Sequence, residues 1–180
     1  MRAQTFAGPD AVGAPSGSST VPLLTFDLGN HQFALPSATV REIVRAVWIS
    51  PLPKAPPIVE GVINVRGALV PVCDIRGRFG IAEEPIGLLQ HLVIANAGDR
   101  IVALRVDRAT DLVTVEWDVI EKASQVAPGA QYAAGIARLT DGLLVIVDLG
   151  GLLSLHEAGL IDNAIASAVE SPLPPRRKSP

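Results

Sequence analysis

Apolar and polar positions along this chain alternate with a period of two far more often than with the period of a helix. Leu24, Phe26 and Leu28 share one face, Gly29-Asn30 supplies a turn, and Phe33 and Leu35 continue beyond it. The run Ile101–Val106 alternates in the same way, with Val102, Leu104 and Val106 on one face. Further short apolar runs rich in β-branched residues fall at 62–65, 69–75, 92–95, 112–117 and 143–149, punctuated by Gly, Pro and Asp. Short strands with close turn signals predict a sandwich or barrel, not alternating strand–helix units. Pro71 interrupts one of these runs and removes an amide donor, which fits an edge strand or a bulge. Only the end differs. From Asp148 through Leu155, and then over about 157–169, the composition is helical, with Leu160, Ile161, Ala164, Ile165 and Ala168 recurring at three and four.

The chain also resembles itself. At an offset of 69, the separation of Trp48 from Trp117, Gly29 falls on Gly98, Asn30 on Asp99, Ala34 on Ala103 and Leu35 on Leu104. At the same offset Glu42 falls on Asp111, Ile43 on Leu112 and Val44 on Val113. At an offset of 74, Gly61 falls on Gly135, Val62 on Ile136, Leu69 on Leu143, Val72 on Ile146, Asp74 on Asp148, Ile75 on Leu149 and Gly77 on Gly151. Identities are few, but the alternation and its punctuation stay in phase. The pattern predicts two similar β lobes in tandem, one near 23–88 and one near 92–155, with a helix at about 157–169. A lobe of that size is marginal alone, because small domains bury too little of their surface, and two pressed together with the helix across them are expected to be stable. A groove between two such lobes is a natural place to hold a partner. The equivalence of Trp48 and Trp117 points to a packing role for both.

Residues 1–22, with Pro9, Gly13, Pro15, Gly17 and a Ser/Thr cluster, read as a flexible leader ahead of a domain at 23–170. Residues 171–180, SPLPPRRKSP, read as a disordered Pro-rich basic tail, which fits a solvated terminus or a dock on a partner or acidic surface.

Composition narrows the function. With 48% hydrophobic and 18% charged residues, the chain of 180 residues is not disordered throughout. It has no run near the ~18–20 apolar residues that a membrane-spanning helix needs. Its 15 Lys and Arg are outnumbered by 18 Asp and Glu, which speaks against nucleic acid as a partner. The start of the chain has no apolar secretory segment, so a cytoplasmic location is expected. One cysteine excludes an internal disulfide or a multi-cysteine metal site.

Catalytic signatures are missing. His31, His91 and His156 lie far apart with no ligand spacing, and no serine-elbow, zinc-protease, P-loop or dinucleotide motif occurs. Cys73 sits inside an apolar run and reads as a small buried thiol. Asp74 and Asp148, at equivalent repeat positions, are candidates for an acid pair, but each follows a strand and precedes a helical or turn segment, and better fits a helix N-cap. No enzymatic activity, metal or cofactor is expected.

The blocks LLTFDLGNHQFALPSATVREIV, GVINVRGALVPVCDIRGRFG and GIARLTDGLLVIVDLGGLL resemble the CheW-like family of bacterial chemosensory coupling proteins, over roughly residues 22–168. The middle block is the most specific, matching G-V-x-N-x-R-G-x-x-[VI]-P-V-x-D-[IL]-R. The resemblance implies a mainly β fold of two SH3-like five-stranded barrels packed side by side, with a C-terminal helix. It implies a non-catalytic adaptor that couples the cytoplasmic tips of methyl-accepting chemoreceptors to the regulatory domain of a CheA-type histidine kinase, in arrays on the inner face of the membrane, without membrane insertion of its own. The chain shows neither the ATP-binding segment of such a kinase nor a receiver domain. A coupling protein of a chemosensory pathway unrelated to motility, or a duplicated SH3-like peptide-binding module without a kinase, are the alternatives. The module predicts an aromatic-lined groove, to which a chain with 4% aromatics is poorly suited.

By this resemblance Arg66 matches an arginine associated with receptor docking, a role suited to a planar guanidinium that bonds carboxylates and carbonyls bidentately. An internal salt bridge is the other reading. Asn64 is expected to shape the same turn by side-chain-to-backbone bonds. Gly61 and Gly67 bracket the segment for backbone reasons. Val40 and Glu42 match a partner-contact element, with Val40 fitting the core equally well. Gly150-Gly151 departs from the charged residues often seen in the family at that place, which predicts a less firm helix start.

Overall fold

A computed structural model of the chain describes residues 19–122, 129–140 and 142–170. The expectations for residues 1–18 and for 171–180 lie outside these. Along the described chain run β1 (Thr20–Leu28), β2 (His31–Pro36), β3 (Val40–Arg45), β4 (Val59–Val65), β5 (Ala68–Cys73), β6 (His91–Ala97), β7 (Arg100–Val106), β8 (Arg108–Glu116), β9 (Ile120–Glu121), β10 (Ala133–Leu139), β11 (Gly142–Val147), a short helix α1 (Leu149–Leu152) and α2 (Leu155–Glu170). The first strand begins at Thr20, so residues 20–22 are strand and not leader.

The strands form two sheets, ordered β8-β1-β2-β11-β10-β9 and β3-β6-β7-β5-β4. Each curls on itself. In the six-stranded sheet the chain continues from β8 through a turn into β9, which pairs with β10. In the five-stranded sheet the chain beyond β3 makes one bridge to β4, in which Ser50 N donates to Val62 O (2.9 Å) and Val62 N to Ser50 O (2.8 Å). In both lobes the third strand of the motif thus turns a corner to meet the fourth. The result is two five-stranded barrels, with β9 as the tail of a bent strand.

The internal repeat is real in three dimensions. β1, β2 and β3 correspond to β6, β7 and β8, and β4 and β5 to β10 and β11. Both sheets share one ladder pattern, including the single parallel pairing in each, β2 with β11 and β7 with β5. The division into lobes at 23–88 and 92–155 is not what the sheets show. The hairpin β1–β2 lies in the lobe of β8–β11, and the hairpin β6–β7 in the lobe of β3–β5. The two halves exchange their first hairpins. Short links explain why: Ser37–Thr39 after β2 and the single residue Asp107 after β7 carry the chain straight across, and a one-residue link is too short for a hairpin.

This exchange sets the core. One apolar cluster joins both sheets, with Leu24, Phe26, Leu28, Phe33 and Leu35 from one meeting Val93, Val102, Leu104 and Val106 from the other. Each lobe keeps a smaller cluster of its own, around Leu23, Leu144 and Ile146 in one and around Ile63, Val72 and Leu92 in the other. The predicted face Leu24–Phe26–Leu28 is therefore the interface between the lobes. Helix α2 seals that interface with Ile161 and Ala164.

It starts two residues before the predicted 157 because Ser154 and Glu157 form a reciprocal cap. Ser154 N donates to Glu157 Oε2 (2.9 Å), and Glu157 N donates to Ser154 Oγ (3.2 Å). The Gly150-Gly151 pair sits in α1, where Asp148 Oδ1 accepts from Gly150 N (3.0 Å). Helical structure then breaks before α2 begins.

Two expectations are corrected. Pro71 lies on β5, an interior strand of its sheet, and is tolerated because the ladder from β5 to β7 begins only at Val72. Trp48 is not packed: it is 76% exposed in the loop after β3, whereas Trp117 rests half-buried on the core of the six-stranded lobe. Equivalent sequence position did not carry equivalent burial, because the six-stranded lobe continues into β9 where the other lobe has only a single bridge.

Candidate functional site

The tip of the β4–β5 hairpin gathers most of the residues singled out by sequence. Val65 pairs with Ala68, leaving Arg66 and Gly67 as a two-residue turn with φ of 51° and 90°. Positive φ at both positions matches the right-handed twist of the flanking strands. Glycine adopts it freely, but an arginine does so against its steric preference. Asn64 Oδ1 accepts a hydrogen bond from Gly67 N (2.9 Å), so its side chain holds the turn as expected. Arg66 Nη2 lies 3.2 Å from Glu42 Oε2 on β3. That contact uses one donor of the guanidinium, whose side chain remains 82% exposed. Arg66 thus makes the internal ion pair and still has its remaining donors facing solvent.

Gly61 and Val40 belong to the support of this tip. A Cβ on Gly61 would lie 2.2 Å from Ser50 O, so the residue is glycine because the backbone of the bridging loop passes directly over it. Gly135, its repeat equivalent, meets Ile120 and Glu121 in the same way. Val40 is half-buried against the core between the lobes, which answers the open choice toward packing. Arg66, Glu42, Asn64 and Gly67 therefore converge at one end of the five-stranded lobe, with Gly61 behind them and Val40 turned inward.

A second polar cluster was not legible in the sequence. Arg76 and Arg105 are both fully buried, at 0% and 1% exposure. Arg105 donates to Glu60 Oε2 (2.7 Å), Gln90 Oε1 (2.9 Å), Asp74 Oδ2 (2.6 Å) and the Glu84 carbonyl (2.9 Å). Arg76 bonds Asp74 (3.2 Å) and pairs with Asp107. Asp74 Oδ1 also caps the turn by accepting from Arg76 N (3.0 Å). A cavity of about 320 Å³ lies over this cluster, lined by Pro57, Glu60, Asp74, Arg78, Glu83 and Arg105 among others. The only sequence signal was an arginine inside the run Ile101–Val106, where two-residue alternation places it on the outer face. Both faces of β7 are in fact covered.

Asp148 is the helix N-cap expected of it, whereas Asp74 stands one residue before the N-cap Ile75 of the 3-10 turn Arg76–Phe79 and serves the Arg76 and Arg105 side chains as well. Cys73 is fully buried, and burial first, then the charge of Glu60, pushes its thiol up to about 12. It is not a nucleophile at neutral pH. Among the described residues no group of three or more His, Cys, Asp or Glu is placed to hold a metal ion, and no helix is long and apolar enough to cross a membrane.

A family model described as CheW-like domain matches residues 22–157. The chain is 30% identical over 148 residues to the chemotaxis protein CheW of Klebsiella aerogenes, covering 80% of this chain and 88% of that one. It is 32% identical over 139 residues to the chemotaxis protein CheW of Rhizobium meliloti, covering 75% and 88%. Among solved structures, the scaffolding protein TtCheW from Thermoanaerobacter tengcongensis superposes with a TM-score of 0.71 at 25% identity, over 81% of this chain and 96% of that one.

Proposed function

The chain belongs to the CheW-like family, and from that premise we propose that it acts without catalysis as the coupling adaptor between the cytoplasmic tips of methyl-accepting chemoreceptors and the regulatory domain of a CheA-type histidine kinase. Its relatives are named as chemotaxis proteins and, for the solved structure, as a scaffolding protein. The partners are our assignment, as is a place within receptor arrays on the inner face of the membrane.

The observation that carries the reading is Arg66. A charged residue is held in a left-handed turn that glycine fills at lower cost, and its guanidinium points mostly into solvent. Backbone strain at an exposed charged tip is a reason to look for a binding role. The guanidinium suits the carboxylates and carbonyls of a helical receptor tip. Glu42 steadies it from the neighbouring strand without consuming it.

Such an adaptor changes kinase activity only through contacts that differ between the kinase's active and inactive states. Individual contacts are modest, and repetition across an array supplies the strength. The test is kinase autophosphorylation with receptor-bearing membranes, with and without this protein, comparing wild type with Arg66→Ala. Wild type is expected to raise receptor-dependent activity. The variant is expected to lose that effect while still binding the kinase. A wild-type protein that neither binds the kinase nor alters its activity overturns the reading.

A further inference from the structure

We propose that Asp107 is a positioning residue that fixes how the two lobes sit against each other, through the buried cluster of Arg76, Gln90, Arg105 and Asp74; this rests on the coupling reading above and gives it a mechanical part. Asp107 is the one-residue link between β7 of one lobe and β8 of the other. Its backbone N donates to Asp27 O (3.0 Å), and its Oδ2 accepts from Gly29 N (2.6 Å) at the turn of the exchanged hairpin β1–β2. Its Oδ1 accepts from Gln90 Nε2 (3.0 Å) and pairs with Arg76. One carboxylate thus holds the turn of one lobe to the buried Arg76 and Gln90 of the other, and through Gln90 and Asp74 to Arg105.

The internal repeat supplies a control. The positions equivalent to Glu60, Arg76, Gln90, Arg105 and Asp107 are Ala134, Gly150, Val21, Pro36 and Ala38. The same barrel therefore forms in the six-stranded lobe with no charge at any of these five, Asp74 alone having a charged equivalent in the cap Asp148. Buried ion pairs are weak contributors to stability, because desolvation offsets their attraction. A charged cluster that the fold does not require, and that stability does not explain, is accounted for by what it joins. It bonds across the lobes, and its directional contacts specify one arrangement where a purely apolar interface tolerates sliding. An adaptor that carries a signal from one partner to another needs its two ends held in such a fixed relation.

The test uses the full chain with spin labels at Asp99→Cys, in the five-stranded lobe, and Thr114→Cys, on β8; buried Cys73 does not take the label. Pulsed electron resonance reads the distance distribution between lobes, beside the receptor-coupled kinase assay. Asp107→Ala is expected to broaden the distribution and to cut receptor-dependent stimulation by about fivefold or more. Binding to receptor and to kinase, each measured alone, is expected to stay near the wild-type level. Asp107→Asn, the same size without the charge, is expected to keep the fold and give intermediate broadening, so the proposal remains testable if the alanine variant does not fold. An unchanged distribution overturns the proposal whatever the kinase does. So does a parallel loss of binding and stimulation, which marks a merely structural residue. If wild-type protein fails to stimulate the kinase, the coupling reading falls, while the distance measurement still decides whether Asp107 sets the lobes.

Discussion

Arg66 and Glu42 lie 3.2 Å apart, although β4 and β3 are the two outermost strands of the five-stranded sheet. The contact exists only because that sheet rolls until its edges meet. It spans the seam beside the single backbone bridge of Ser50 and Val62. The pair is exposed to solvent, and pairs of that kind contribute under about 1 kcal/mol.

Replacing Arg66 is therefore expected to spare the fold and remove the function. Arg66→Gly relieves the left-handed turn, so it is expected to melt no lower than Arg66→Ala. Both are expected to lose receptor-dependent kinase stimulation. Thermal melts beside the kinase assay check this; a large drop in stability for the glycine variant contradicts the strained-turn account.

The two glycines of this segment are expected to respond differently. Gly61→Ala forces a Cβ onto a backbone oxygen 2.2 Å away and is expected to cost about 3 kcal/mol. Gly67→Ala meets nothing within 4 Å but keeps a positive φ, and is expected to cost about 1 kcal/mol. Urea denaturation of the two variants ranks them.

Cys73 is expected to resist thiol reagents in the native protein at pH 8 and to react fully in denaturant. Burial raises its folded value to about 12 from an ordinary 9.0. Above pH 9 the unfolded chain releases a proton that the folded chain retains, so this contribution to stability falls as pH rises from 9 toward 12. Labelling kinetics and alkaline melts report the two effects.

The start of α2 is expected to be acid-sensitive. Burial alone would raise the Glu157 carboxyl, but hydrogen bonds from Ser154 and the nearby Arg78 outweigh it and hold the group below its ordinary 4.5. Its stabilising contribution is present above that value and is lost as pH falls through the lower folded one. Ser154→Ala is expected to cost about 1 kcal/mol and to reduce the acid dependence. Amide hydrogen exchange along α2 measures both.

Trp48 is expected to be quenched by acrylamide in the native protein, and Trp48→Ala to change stability by no more than about 0.5 kcal/mol. Trp117, half-buried, is expected to be the better protected of the two. Single-tryptophan variants separate the signals.

What the sequence made legible follows from what is local. Alternation at Leu24–Leu28 and Val102–Val106 identified the faces that meet between the lobes. The offsets of 69 and 74 predicted matching strands, and both sheets bear them out in their ladders. The Asn64 bond to the hairpin tip followed from its residue type at a turn that the family resemblance had placed. What stayed hidden depends on pairing at a distance. No local pattern says that β1–β2 joins β8 rather than β3. The cap of α2 is written in the sequence as Ser-x-x-Glu at 154–157, while the apolar periodicity begins only beyond it, at Leu160. Arg105 looked outward because alternation assumes one wet face, and β7 has none.

The exchange of hairpins also sets an order of manufacture. On the ribosome the chain emerges from its N-terminus at ~5–20 residues per second. The five-stranded barrel has all its strands once residue 106 is out, while the other barrel must wait for residue 147. The β1–β2 hairpin is synthesised first and completed last. For the seconds in between, β2 carries an open strand edge, and Leu23 and Ala34 wait for Leu144 and Ile146 to complete their cluster.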